Sequence, residues 1–283
     1  MRESMEQHFN TPSEVIDTHM KAGEGKAHLP LGKMILLGIM AGAFIALGGA
    51  TSSTAAHAID NVGLARFVAG IIFPVGLMII VFVGGELFTG NCLIVMDVVG
   101  KKVTWFECIR NLIGALIIDT LIYFSGNLDY TGGLLGAYAI KVAVGKVGIS
   151  PLKGVTSGIL CNILVCIAIL MAAAATDIVG KVWAIFFPIM AFVVGGFEHC
   201  VANMFYIPVG MMAAQNPAYV AKAQEAYGLT AEQIQGLTVL HSLNNFIPVT
   251  IGNILGGMVF VGIPCFFIYK KKWQKWHEES KTA

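Results

Sequence analysis

The chain has 283 residues, of which 56% are hydrophobic and 12% are charged, and its net charge is +1. A typical soluble domain carries about 25% charged residues, so this composition excludes an ordinary soluble protein and predicts one that lies in a bilayer. The net charge gives no indication of a nucleic-acid partner, and no basic patch with interleaved aromatic residues is present to suggest one.

Apolar stretches recur along the chain, and each is long enough to cross ~30 Å of hydrocarbon. They predict an all-α membrane protein with six transmembrane helices, two of them broken by short polar inserts. The predicted spans are residues 34–56, 65–99 (broken), 103–124, 152–175, 182–213 (broken) and 240–269. Residues 10–24, ahead of the first span, are typical of a short amphipathic helix that lies along the membrane surface.

Lysine and arginine predict the orientation of the chain. With both termini in the cytoplasm, thirteen of these residues fall on the inner side and five on the outer side. Residues 1–33 and 270–283 are therefore predicted to be a cytoplasmic N-terminal segment and a cytoplasmic tail, on either side of a transmembrane domain at 34–269. Trp273 and Trp276, beside the C-terminal lysines, fit an interfacial anchor.

The two polar inserts match each other. Residues 84–91 read GGELFTGN, and residues 195–203 read GGFEHCVAN. Four landmarks recur in order: residues 38–42 and 158–162, Phe-Pro pairs at 73–74 and 187–188, the two inserts, and residues 111–114 and 253–256. Each half, at 34–124 and 152–269, has three spans, an odd number, so the repeat is predicted to be inverted (3+3). Broken backbone in a bilayer needs surrounding protein or a water-filled cavity, so the inserts predict a transport site near the midplane.

Three ionisable residues lie in the inserts. His199 is flanked by apolar sequence, and an ionisable group at this depth is costly enough to indicate function. Histidine can also exchange a proton near neutral pH. Glu86 and Glu198 leave two interpretations open: they line the path and favour cations, or they accept backbone amides and leave the positive half-helix ends facing an anion.

Four further polar residues are candidates for the transport path. Thr89, Asn162 and Asn253 either donate uncharged hydrogen bonds to a small solute or join helices to one another. Lys146, in the outer segment before the fourth span, is either a solvated loop charge or an attractor that concentrates anions at the mouth. The sequence pattern leaves each of these alternatives open.

Apolar residues surround the breaks, and a constriction that excludes hydrated ions is one interpretation of them; ordinary helix packing is the other. The candidates are Phe73, Leu77, Leu87, Phe88 and Phe192. The six cysteines form no CxxC pair and are expected to be buried thiols. No metal site and no cofactor is predicted.

Three motifs resemble the signatures of the formate/nitrite transporter family, which includes bacterial formate, nitrite and hydrosulfide channels. They are LFT at 87–89, GFEHCVANMF at 196–205 and IPVTIGN at 247–253. The resemblance covers residues 10 to 270. It implies an aquaporin-like protomer, not an enzyme, that assembles as a homopentamer in the bacterial plasma membrane, each protomer with its own pore.

The resemblance also implies places for the candidate residues. Leu87 and Phe192 would form a cytoplasmic-side slit, and Phe73 and Leu77 would line the outer side. His199, Thr89 and Asn253 would lie between them, and Lys146 would attract anions while paired with Glu198.

The resulting hypothesis is a channel for small monovalent weak-acid anions, formate first. Lys146 draws the anion in, and a proton relayed by or gated through His199 neutralises it, since a bare charge in an apolar slit is expensive. A hydrosulfide or nitrite channel is the alternative within the family. A water or neutral-solute channel would share the half-helix design, but the chain has one NPA triplet, at 216–218, where aquaporins have two. A membrane enzyme would need a metal cluster or a nucleophile constellation, and neither is found in the sequence.

Overall fold

The computed structural model describes residues 9–27, 29–93 and 105–269. Regular structure in these ranges is helical, apart from an isolated bridge between Phe9 and Ala175. The predicted all-α class is confirmed. The predicted cytoplasmic tail at 270–283, with its two tryptophans, lies outside the described residues.

Up to Phe124, the described residues form six α-helices. They are α1 (Pro12–Ala27), α2 (Leu31–Ala56), α3 (Val62–Ile72), α4 (Val75–Val83), α5 (Phe88–Asn91) and α6 (Trp105–Phe124). Helices α3 and α4 meet at the Phe-Pro pair and together form one apolar stretch, Val62–Val83. The predicted amphipathic segment corresponds to α1, in which Ser13 Oγ donates a hydrogen bond to the carbonyl oxygen of Tyr269.

From Tyr130 to Tyr269, the structure shows eight α-helices. They are α7 (Tyr130–Val147), α8 (Pro151–Ala174), α9 (Ile178–Gly195), α10 (Cys200–Ala213), α11 (Pro217–Tyr227), α12 (Ala231–Gln235), α13 (Val239–Leu255) and α14 (Ile263–Tyr269). A π-helical segment, Gly256–Gly262, joins the last two. Because α13, this segment and α14 run on without a break, they form a single long apolar element.

Five helical stretches among the described residues are long and apolar enough to cross a membrane, and six if one bent pair counts as a span. That pair consists of Glu107–Phe124 and Asn127–Val147, which meet at 56°. These helices indicate a multi-pass membrane protein. The second member of the pair is an outer connection by the sequence pattern, whereas in the structure α7 is a helix packed against α10 and α11.

Glycines end the helices before both breaks. Helix α4 ends at Gly84, whose φ is +102°, and α9 ends at Gly196, whose φ is +67°. Only glycine adopts this backbone region without steric cost. New helices then begin after Leu87 and His199, which are the N-cap residues of α5 and α10. Both inserts therefore break their helices where the sequence predicts.

Two helix pairs cross at glycine in equivalent positions. Helix α6 approaches α2 so closely that a Cβ on Gly114 would overlap the carbonyl oxygen of Ile39. After α13, a Cβ on Gly256 would overlap the carbonyl oxygen of Ile159 in α8. These crossings bring α6 and α13 alongside the two breaks.

Candidate functional site

One buried asparagine holds the first break. Asn111, in α6, donates from Nδ2 to the carbonyl oxygens of Gly38 (2.8 Å) and Glu86 (3.0 Å). Its Oδ1 accepts from the backbone amide of Phe88 at 3.0 Å. The carboxylate of Glu86 in turn accepts from Asn91 Nδ2 at 3.0 Å. The amide of Asn111 thus replaces the helical hydrogen bonds that the break removes.

The second break is held by the same set of contacts. Asn253, in α13, donates from Nδ2 to the carbonyl oxygens of Gly158 (2.8 Å) and Glu198 (3.0 Å). It accepts from the amide of Cys200 at 2.8 Å, and Asn203 Nδ2 donates to Glu198 Oε2 at 2.7 Å. Both amide hydrogens of Asn253 are used in these contacts, which favours the interpretation that Asn253 joins helices over the one in which it donates to a solute.

Asn162 joins the two breaks to each other. Its Nδ2 donates to the carbonyl oxygens of Asn253 (2.6 Å) and Thr89 (3.2 Å). Its side chain is fully buried, and it does not line the cavity described below. Of the two interpretations left open for Asn162, the structure favours the joining of helices.

His199 lies where the two breaks meet. Its Nδ1 accepts the backbone amide of Ala202 at 3.0 Å and so caps α10. Because Nδ1 accepts, the ring proton of neutral His199 sits on Nε2, which donates to Thr89 Oγ1 at 2.9 Å. The ring of Phe192 stacks on the imidazole, with centroids 5.7 Å apart. One donor of fixed direction therefore faces Thr89 across the junction.

Glu198 is tied to a cation. Lys146 Nζ lies 3.0 and 3.2 Å from its two carboxylate oxygens. Asn203 and Asn245 donate to Oε2 at 2.7 and 3.1 Å. The carboxylate is thus neutralised by Lys146, the pairing that the family resemblance implies. The ammonium also lies 5.3 Å from the ring centroid of Tyr206, so Lys146 is not a solvated loop charge.

A cavity of about 660 Å³ leads to this junction. We call it the vestibule. Its walls carry three cations, Arg66, Lys141 and Lys146, and two carboxylates, Asp60 and Glu198. Its inner end is formed by His199 and the rings of Phe73 and Phe192. Neither Arg66 nor Lys141 was singled out from the sequence, since both look like ordinary loop or helix-end charges there.

The structure corrects the predicted grouping of the constriction residues. The rings of Phe73 and Phe192 touch edge to face, with centroids 5.5 Å apart, and both line the vestibule. Phe192 therefore belongs with Phe73, not with Leu87. The reason is that Phe192 precedes the break and sits on α9, which packs against α3, whereas Leu87 follows the other break.

Three other apolar candidates lie away from the vestibule. Leu77, Leu87 and Phe88 are 3%, 4% and 1% exposed and do not line it. Leu87 and Phe88 are the residues of the first break next to Thr89, so the polar pair of Thr89 and His199 borders buried apolar side chains. No cluster of three or more potential metal ligands occurs among the residues that the structure describes.

The chain is similar in sequence and in fold to known transporters and channels. The profile of the family described as "Formate/nitrite transporter" matches residues 13–267. The chain is 36% identical to the "Probable formate transporter" of Methanothermobacter thermautotrophicus, over 93% of this chain and 98% of that one. It is 33% identical to the "Formate channel FocA" of Escherichia coli (strain K12), over 92% and 95% of the two chains. A solved structure described as "Pentameric formate channel with formate bound" matches with a TM-score of 0.72 at 32% identity, covering 88% of this chain and 98% of that chain.

Proposed function

The chain belongs to the formate/nitrite transporter family, and on that premise we propose that it is a channel for small monovalent weak-acid anions, with formate as the first candidate. Transport, not catalysis, is the proposed activity. The observation that carries the proposal is the vestibule, a cation-bearing cavity that ends at a single histidine hydrogen bond.

The proposed path begins with attraction. Three cations face two carboxylates on the vestibule walls, so the cavity favours a small anion over a cation. The anion reaches His199, where it takes the place of Thr89 as acceptor of the Nε2 hydrogen bond. Beyond this point the neighbouring side chains, Leu87 and Phe88, offer no polar group, so an anion that kept its charge would meet a high barrier.

Neutralisation is the proposed way past that barrier. Formate takes up one proton and continues as formic acid, and the charge on the far side is restored when the proton is released. We assign His199 the gating version of this step: it orients the anion with its Nε2–H, while a hydronium ion in the vestibule gives the proton and becomes water. Direct protonation at Nδ1 would place two donors, the ring N–H and the Ala202 amide, against each other.

We further propose a homopentamer in a bacterial plasma membrane, with both termini cytoplasmic. Exposed apolar residues such as Leu121, Phe187 and Phe260 lie on the outward faces of the helices. They support contacts with lipid or with neighbouring protomers. The matching contacts of Asn111 and Asn253 support an internal repeat, which we propose is the inverted 3+3 repeat of an aquaporin-like protomer.

A flux assay tests the proposed function. Purified protein in liposomes is compared with empty liposomes for uptake of formate, nitrite, hydrosulfide, chloride and water. We expect formate uptake that increases as the external pH falls, with chloride and water excluded. Rapid water flux without anion uptake would overturn the proposal in favour of a water channel, and preference for nitrite or hydrosulfide would assign the alternative substrate within the family.

A further inference from the structure

The ion pair at the inner end of the vestibule contributes little to the attraction of an anion. Lys146 and Glu198 carry opposite charges at 3.0 Å, so their fields largely cancel at distances beyond the pair. Any net positive potential that an entering anion meets therefore comes from the other cations of the vestibule, Arg66 and Lys141.

Arg66 is placed close to the second break. Its Nη1 donates to the carbonyl oxygen of Val194 at 3.3 Å, near the end of α9. The guanidinium lies over the backbone of Gly196, where an added Cβ would come within 2.5 Å of Nη1. Arg66 thus reaches from α3 across the vestibule wall to the point where α9 stops, on the same side as Phe192 and His199.

The guanidinium retains unused donors. It carries five N–H groups in a planar fork, and one of them is directed at Val194. Within residues 9–27, 29–93 and 105–269, Arg66 forms no ion pair, and its side chain is exposed to the vestibule. A planar anion with two oxygen atoms matches such a fork in a way that a spherical ion does not.

Lys141 lines the same cavity but offers different chemistry. Its ammonium lies 4.4 Å from the ring centroid of Tyr227 and 5.9 Å from that of Tyr138. These aromatic faces hold the charge at the wall. An ammonium is also a point charge without the two-pronged geometry of a guanidinium. Lys141 therefore supplies a field and is the matched control for Arg66.

We propose that Arg66 is the anion-recognition residue of the vestibule: its guanidinium binds planar two-oxygen anions, carboxylate or nitrite, before they reach His199. The inference rests on the proposed function and adds its selectivity. Chloride and hydrosulfide, each with a single accepting atom, gain the charge of Arg66 but not its second hydrogen bond.

The test compares three variants in liposomes at low salt: Arg66→Lys, Arg66→Gln and Lys141→Gln. Competition by chloride or hydrosulfide against formate uptake measures selectivity at the entry site. Arg66→Lys keeps the charge and loses the fork, so the half-saturating formate concentration rises about tenfold, while the competing strength of chloride stays unchanged. Arg66→Gln lowers the affinity for formate and for chloride together. Lys141→Gln lowers the affinity for every anion by the same factor.

The outcomes separate this inference from the proposed function. A wild-type protein that passes no formate would overturn the function itself. A wild-type protein that passes formate, together with an Arg66→Lys variant of unchanged formate affinity and competition profile, would overturn the role of Arg66 alone. If Arg66→Gln does not yield folded protein, the comparison of Arg66→Lys with Lys141→Gln decides, because Arg66→Lys keeps the positive charge at this position.

Discussion

The two breaks share a scaffold and differ in one decisive residue. In each, an asparagine from a distant helix bonds the carbonyl of a glutamate and the amide two residues later. The residue between them is Leu87 in the first break and His199 in the second. Leucine makes no side-chain cap at α5, whereas the histidine caps α10 and bonds Thr89.

The two glutamates share one contact, with the asparagine of their own insert. Glu198 accepts from Lys146 and Asn245 in addition to the asparagine of its own insert. Glu86 accepts from Asn91, the equivalent of Asn203. The difference between Leu87 and His199 teaches that the repeat supplies matching geometry, while only the second break places a histidine at the vestibule. Each prediction below either breaks the shared scaffold or sharpens the contrast.

The largest effect is expected from removal of either scaffold amide. Asn111→Ala and Asn253→Ala each remove the side-chain partner of one buried amide and of the glutamate carbonyl in the break, which costs about 3 kcal/mol or more. Thermal unfolding of the detergent-purified variants measures the loss. Equal destabilisation supports the equivalence of the two breaks. If one variant unfolds and the other matches wild type, the breaks are not held in the same way.

Replacement of His199 comes next. His199→Phe removes both the cap of α10 and the donor to Thr89, and we expect it to abolish pH-dependent formate uptake in liposomes. His199→Gln keeps a donor that cannot titrate, so it retains part of the uptake and its pH dependence if His199 only orients the anion. Loss of the pH dependence in His199→Gln would instead make the histidine a proton relay and contradict the gating role.

Removal of one charge from the ion pair should have an intermediate effect. Lys146→Gln leaves the carboxylate of Glu198 without its cation, which lowers both stability and anion uptake. The double variant Lys146→Gln/Glu198→Gln should recover most of the stability. Lys222→Gln is the control and should match wild type, because Lys222 is a cation on α11 that pairs with Glu225 at 3.5 Å.

A salt series separates lost stability from lost attraction of the anion as the cause of lower uptake, because steering by charge weakens with ionic strength. Full uptake by Lys146→Gln at low salt would remove Lys146 from the path.

The smallest effect is expected at Phe192. Phe192→Ala removes the ring that stacks on His199 and touches Phe73, so water enters more easily and chloride leak rises severalfold, with a modest loss of stability. Phe187→Ala is the control, because Phe187 lies on the same helix but is exposed on its outer face. A destabilised Phe192→Ala without added leak would make this ring a packing residue.

The local sequence pattern by itself determines where the membrane helices of this protein lie and where they are interrupted. Apolar length predicts the membrane helices, and Gly84 and Gly196 end helices where the inserts interrupt the apolar runs. The repeated sequence alone makes Asn111 and Asn253 equivalent, because residues 111–114 match residues 253–256. These features are legible because helix length and glycine backbone freedom depend on neighbouring residues alone.

Long-range packing of the helices decided which side chains meet at the site. Asn253 looks like a solute contact in sequence, yet the backbone of α8 and of the second break takes both its amide hydrogens. Phe192 faces Phe73 because of how α9 packs on α3, and Lys146 meets Glu198 because α7, read from sequence as a connection, packs as a helix against α10. A side chain's partner is set by which distant helix crosses nearby and at what rotation, and no local pattern of residues encodes that geometry.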